Sequence, residues 1–321
     1  MKKCFILFSA AFLACGCSAQ SEAGRIRRIP GPNGDDCLVL SNRFGEAEVS
    51  LYGAQIRRYD PAGQVPVLFS PTTSKAFGEG GTVFGGVPYC WPWFNMNGEA
   101  QTEGHGFANH STWRVKDSTS SDDVVEVRLT LESTPETKEV WPYDFSAVYT
   151  IRLSNRLELD FSTKNTGEAA FDITEGFHCY FNVADVENTV LKGFDGAWVD
   201  TVVPDATNYV YRGDYRCDGN LNEVFFNPGG PVEIVDSGNG RSIFVWSRMN
   251  AKVILWNPGP DFHIPELGLD DWRHIVCVEP ATISRECATR IMPGKTHEIR
   301  MTVQSVPGRK ERRLQGKGKT E

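Results

Sequence analysis

Three residues in this chain pair a titratable side chain with a setting that changes its chemistry. His105 lies between Gly104 and Gly106, so its backbone is free to approach a ligand, and it follows Trp93 by twelve residues. His178 sits in the aromatic segment Thr174-Glu175-Gly176-Phe177-His178-Cys179-Tyr180-Phe181-Asn182, where an imidazole is partly desolvated. Glu279 follows the apolar run Ile275-Val276-Cys277-Val278 and precedes Pro280, which is expected to end that strand. Desolvation at a strand mouth raises a carboxyl's proton affinity, as a general base working near neutral pH requires. The same spacing fits a strand-end carboxylate satisfied by backbone amides, and spacing alone favours that plainer reading. Of the other histidines, His110, His263 and His297 read as ordinary surface or structural residues and His274 as a strand cap. No His-x-His or His-Glu-x-x-His spacing occurs, so acid–base chemistry ranks well above metal binding.

The stretch Gly85 to Trp113 holds three tryptophans and two phenylalanines and is too broken by Gly and Pro to be helical. Aromatic faces beside a histidine suit a sugar ring, whose C–H patches stack on indole while its hydroxyls need polar partners. A plug of aromatic rings closing one end of a β-structure fits the composition equally well. No Gly-x-Ser-x-Gly elbow, Walker loop or dinucleotide fingerprint is present, which removes support for serine hydrolysis, ATP chemistry and hydride transfer.

Short alternating runs position these groups. Val125 to Leu131, Leu157 to Phe161 and Thr296 to Val303 alternate apolar with polar residues, and Ser237-Gly238-Asn239-Gly240 is a hairpin signal between two more runs. Lys252 to Trp256 and His274 to Val278 are short apolar strands. No useful length carries helical spacing, so the expected fold is all-β: a large antiparallel sandwich forming one domain over 25–307.

Residues 1–17 read as a signal peptide, with Lys2 and Lys3 before an apolar run and Ala14 and Gly16 before Cys17 in a lipobox-like arrangement; Cys15 is the weaker acylation candidate. Residues 18–24 form a linker and 308–321 a basic disordered tail. The expectation is an exported bacterial protein, periplasmic or anchored to the membrane as a lipoprotein. Six cysteines lie beyond the signal, an even number that permits disulfides without fixing their pairing, and no Cys-x-x-Cys occurs. The formal charge is −8, and without the +4 of the tail and the +2 of the signal lysines the body carries −14. Such a body repels nucleic acid.

Taken in order, Gly85-Gly86-Val87-Pro88, Cys90-Trp91-Pro92, His105-Gly106-Phe107-Ala108, Phe177-His178-Cys179-Tyr180-Phe181-Asn182, Lys192-Gly193-Phe194-Asp195-Gly196, Trp256-Asn257-Pro258-Gly259, Cys277-Val278-Glu279-Pro280-Ala281 and Pro293-Gly294 resemble the aldose 1-epimerase (mutarotase) superfamily. The resemblance spans nearly the whole mature chain and is nearest to the glucose-6-phosphate 1-epimerase branch. It implies a galactose-mutarotase-like β-supersandwich and exchange of sugar anomers without cofactor or metal. It further implies Glu279 as base at O1, His178 as acid at the ring oxygen and His105 as the group that holds and polarises the sugar. Trp91, Trp93 and Phe94 would form an apolar wall, and Asn257 would meet a hydroxyl.

Two positions depart from the phosphate-specific branch, which carries arginine before Gly-Gly-Ile-Pro and after His-Gly-Phe-Ala. Here those places hold Phe84 and Asn109, and neither supplies a guanidinium fork. Asn222-Glu223-Val224-Phe225 stands where the branch has Asp-Arg-Ile-Tyr. The expected substrate is therefore a neutral aldose or a sugar unit of a glycan, acted on by a monomer. Two alternatives stay open: a non-catalytic carbohydrate-binding protein, and a hexose-6-phosphate epimerase whose phosphate contacts have moved to other arginines such as Arg57, Arg58 or Arg212.

Overall fold

The computed structural model describes residues 24–308 except 32–33, 74–83, 96–103, 202–206, 218 and 284–286. The expected signal, its acylated cysteine and the basic tail therefore lie outside the described residues. The first strand is Arg25–Pro30 and the last Thr296–Pro307.

Two large antiparallel sheets face each other. The nine-stranded sheet runs, in spatial order, Tyr215–Arg216, Val190–Lys192, Val232–Asp236, Arg241–Arg248, Thr296–Pro307, Leu157–Asn165, Phe145–Leu153, Val125–Glu132 and Arg114–Ser120. Its members alternate as the sequence did: Val125–Glu132 buries every second residue, and Ser237 to Gly240 closes the hairpin between Val232–Asp236 and Arg241–Arg248. The eight-stranded sheet runs Tyr209–Val210, Trp198–Val199, Leu221–Phe226, Lys252–Asn257, Ile275–Thr282, Glu175–Phe177 and Tyr89–Cys90, with Tyr180–Asn182 added beside Ile275–Thr282. A four-stranded sheet, Arg25–Pro30, Asp36–Asn42, Gly45–Ser50 and Ile56–Pro61, packs onto this body.

One apolar interior fills the space between the sheets, from Leu40 and Val49 through Tyr149 and Phe161 to Phe225 and Val245. Two smaller clusters lie on the outer face of the eight-stranded sheet: Phe69, Tyr180, Ile264, Leu267, Ile275 and Cys277, and Cys90, Phe94, Val224, Ile254 and Ala281. Period-two alternation separates these from the interior set on the same strands, so the sheet buries both faces but for different purposes.

Among the described residues one short α-helix occurs, Pro135–Val140, whose start is fixed by Thr134 capping Thr137 and by a proline in its first turn, and the fold is all-β as expected. One expectation needs correction. Pro280 does not end its strand, which continues to Thr282 because the neighbouring strand pairs Val253 with Pro280 and Lys252 with Ala281. The six cysteines Cys37, Cys90, Cys179, Cys217, Cys277 and Cys287 are free thiols, five of them buried.

Candidate functional site

The site forms where pairing along one strand is interrupted. Ile275–Thr282 pairs with Glu175–Phe177 through Glu175–Thr282 and Gly176–Ala281, then with Tyr180–Asn182 through Tyr180–Cys277. The same register carried through the gap sets His178 opposite Glu279. Backbone bonding explains the gap: the His178 N–H donates to the Pro88 carbonyl at 3.1 Å and the Cys179 N–H to Phe177 at 3.0 Å, while Pro280 has no N–H to give. The His178 side chain then reaches Glu279, with Nδ1 3.2 Å from Oε1. No hydrogen bond joins the two, and Nδ1 is buried without a hydrogen-bond partner among the described residues.

Aromatic rings enclose the imidazole. Tyr180 stacks on it at 4.7 Å with planes 2° apart, and the Tyr180 hydroxyl lies 3.4 Å from Nε2. Phe94 lies nearly parallel at 6.2 Å, Trp256 meets it edge-on at 6.2 Å, and His105 meets it edge-on at 5.4 Å. Gly176 leaves room for Phe94, since a Cβ there would stand 2.6 Å from the Ala281 Cβ and 2.9 Å from the Phe94 ring. The Phe94 N–H is tied to Thr174 Oγ1 at 2.8 Å.

His105 adopts the left-handed backbone region, φ 65°, next to Gly106, whose backbone runs so close to Trp91 that a Cβ would sit 2.0 Å from the Trp91 carbonyl. Its Nδ1 accepts the Asn95 N–H at 3.2 Å, which puts the ring proton on Nε2 and makes that atom a donor. Burial, and then His110, hold His105 down to about 4. Burial, and then His105, hold His178 down to about 3, while burial alone pushes the Glu279 carboxyl well above its ordinary value. Glu279 is 2% exposed and the His178 side chain 16%. Neutral forms of both partners are favoured, so the pair holds a single proton.

The structure thus brings together His105, His178, Glu279 and Phe94. Phe84 stands one ring further out, edge-on to Tyr180 at 6.3 Å. Asn109 follows His105 on a short 3-10 turn, Ala108–His110, and its Oδ1 is buried without a partner among the described residues.

Three expected contacts are elsewhere. Asn257 follows Trp256 and therefore points to the opposite face, where its amide donates to the Trp272 and Ile275 carbonyls at 2.7 Å and accepts the Gly259 N–H at 2.8 Å. Nothing remains for a sugar hydroxyl. Trp91 is 0% exposed and packs edge-on against Trp141 and Phe145 in the interior, and Trp93 is buried against Phe107. They close the end of the sandwich, the plug reading of that stretch. Trp256 and Tyr180 take the places that Trp91 and Trp93 were expected to fill. Strand parity was the signal for Trp256: it pairs with Cys277, two residues from Glu279 and on the same face. Asn222 pairs with Trp256 and is exposed beside it, so it shares that face.

His178, Cys277 and Glu279 present three ligand-type atoms within 4.8 Å of one another, the group among the described residues able to hold a metal. Of the two readings open for His297, surface or structural, the second holds: its Nε2 lies 2.8 Å from Oε1 of Glu175, a carboxylate 1% exposed.

A paired imidazole and carboxyl, a neutral imidazole donor and aromatic rings gathered on one sheet face suit proton exchange with a polar ring. The family model for aldose 1-epimerase matches residues 36–304. A relative named "Putative glucose-6-phosphate 1-epimerase" from Escherichia coli (strain K12) is 31% identical over 78% of this chain and 84% of its own length. One of the same name from Salmonella typhimurium (strain LT2) is 29% identical over 76% of this chain and 82% of its own. The crystal structure of "a putative mutarotase" from Salmonella typhimurium superposes with a TM-score of 0.79 at 26% identity, covering 88% of this chain and 94% of that one. Galactose 1-epimerase from Lactobacillus acidophilus NCFM shares the fold, with a TM-score of 0.67 at 14% identity over 89% and 99% of the two chains. The chain belongs to the aldose 1-epimerase family, an isomerase on the galactose-mutarotase-like fold.

Proposed function

We propose that the protein interconverts the α and β anomers of a non-phosphorylated hexose, free or at the reducing end of a glycan, through His178 and Glu279. The observation that carries this reading is the facing pair, Nδ1 to Oε1 3.2 Å, on one aromatic-lined sheet face with His105. Ring opening removes the proton from the anomeric hydroxyl and adds one to the ring oxygen as the C1–O5 bond breaks and the C1 carbonyl forms. Rotation about C1–C2 exposes the other carbonyl face, and closure reverses both transfers. A one-proton pair serves both steps: with the proton on the imidazole, Glu279 is the base and His178 the acid. The His105 Nε2–H polarises an oxygen without competing for the proton, because its own basicity is low.

The relatives' names specify glucose 6-phosphate, but the three arginines named as substitutes, Arg57, Arg58 and Arg212, are committed or distant. Arg57 is buried and paired with Asp35 at 3.1 Å, and Arg58 pairs with Asp60. Arg212 follows the edge strand Tyr209–Val210, four strands from the one bearing Glu279, roughly 19 Å at ordinary strand spacing. Phe84 and Asn109 bring no charge. Exchange NMR on a panel of free and 6-phosphorylated aldoses tests the reading; a clear preference for the phosphorylated hexoses defeats the substrate assignment. E279Q and H178N should each slow exchange about 10²–10⁴-fold. Glycan binding with exchange no faster than buffer would instead select a non-catalytic carbohydrate-binding protein.

A further inference from the structure

We infer that His178, Cys277 and Glu279 form a three-ligand site for a borderline-soft divalent cation of the zinc type, which excludes the sugar when it binds. Exclusion of the sugar rests on the proposed function, whereas binding of the ion to the protein alone is read separately by the cobalt spectrum.

Strand geometry supplies two of the ligands. Cys277 and Glu279 are two residues apart on one strand, so their side chains leave the same face, and His178 stands across from Glu279. A tetrahedral zinc with bonds of about 2.0–2.3 Å needs its ligand atoms about 3.3–3.6 Å apart. The Nδ1–Oε1 separation is 3.2 Å, already that edge length, and the widest separation in the triad is within 4.8 Å, so closure around an ion asks for a shift of about 1 Å.

A further observation points the same way. Nδ1 is buried, faces Oε1 and has no hydrogen-bond partner among the described residues, as expected of a lone pair that shares a target with the carboxylate. A divalent ion binds there as the thiol releases its proton to solvent. Three protein ligands leave a fourth position for water, and the mixture of sulfur, nitrogen and oxygen disfavours magnesium and calcium.

The test is calorimetric titration of the full-length protein with Zn2+ and with Mg2+, beside a Co2+ titration read by absorbance. Expected are one Zn2+ per chain, no Mg2+ binding and a thiolate-to-cobalt charge-transfer band. C277S should weaken Zn2+ at least ~100-fold and abolish the band, and saturating sugar should weaken Zn2+ in the wild type. Unchanged Zn2+ affinity in C277S, absence of the band in the wild-type protein, equal Mg2+ binding, or zinc that leaves sugar binding untouched overturns the inference. The wild-type cobalt spectrum decides the matter even where C277S does not fold.

Discussion

Trp256 and Trp91 put the same side chain to two uses. Trp256 is half-buried beside His178, whereas Trp91 is enclosed by Phe107, Trp141 and Phe145. Trp256→Ala should raise KM for the sugar about 2- to 12-fold, the range that an aromatic contact of ~0.5–1.5 kcal/mol supports, with little loss of melting temperature. Trp91→Ala should do the reverse, costing about 3–5 kcal/mol of stability by leaving a large interior cavity. Anomer-exchange kinetics and thermal unfolding on both variants check the contrast, and a KM effect confined to Trp91→Ala would reverse the placement. Glu279→Gln belongs beside them: it keeps the shape of a buried, neutral carboxyl, so its melting temperature should be no lower than wild type while exchange collapses.

At the scale of elements, the strand Glu175–Phe177 is held from both faces. On the site face it leads into His178; on the interior face Glu175 accepts the Tyr89 hydroxyl at 2.6 Å and meets His297, from the opposite sheet, at 2.8 Å. The His297 N–H is not aligned with the oxygen, so the contact is an ion pair more than a hydrogen bond. Burial pulls the His297 pKa down, but the Glu175 carboxylate, helped by Glu298, more than offsets this and leaves it above its ordinary value. A folded value above the unfolded one means the pair's stabilisation is complete below about pH 6.5 and is lost as pH rises through the folded value. His297→Leu strands the carboxylate and should cost about 3–5 kcal/mol at pH 6. Urea unfolding at pH 6 and pH 9 should show the gap from wild type narrowing at the higher pH; an equal gap at both would remove the charged pair from the account.

In the whole molecule, a single interior holds the two sheets together while the chemistry sits on the outer face of one of them. Site-face residues such as Trp256, Asn222 and Phe84 can therefore vary without breaching that interior, which gives a physical basis for substrate changes on a constant fold. The N-terminal segment is proposed as a lipoprotein signal acylated at Cys17, and with an acidic body of −14 the lipid would supply the membrane attachment. Cells expressing the full chain should yield it in the membrane fraction, and Cys17→Ala should move it to the soluble fraction; unchanged partition of the variant would remove the anchor.

Much of this was written in the order of residues alone. Alternation at Val125 to Leu131 and the Ser237-Gly238-Asn239-Gly240 turn dictated strands and a hairpin, because a half-buried sheet face imposes a period of two. The motifs around His105, His178 and Glu279 carried the family, and those three side chains do converge. What the sequence left open was phase and layer. Asn257 and Trp256 differ by one residue, and only the pairing with Ile275–Thr282 decides which shares a face with Glu279. Trp91 and Phe94 share one loop, yet one turns into the interior and the other toward His178 because of what packs over each. His297 reads as a surface or structural residue until the opposite sheet brings Glu175 to it, across more than a hundred positions of chain. Local patterns fix which residues form strands; which side each strand presents, and to what partner, is decided by contacts between segments far apart in sequence.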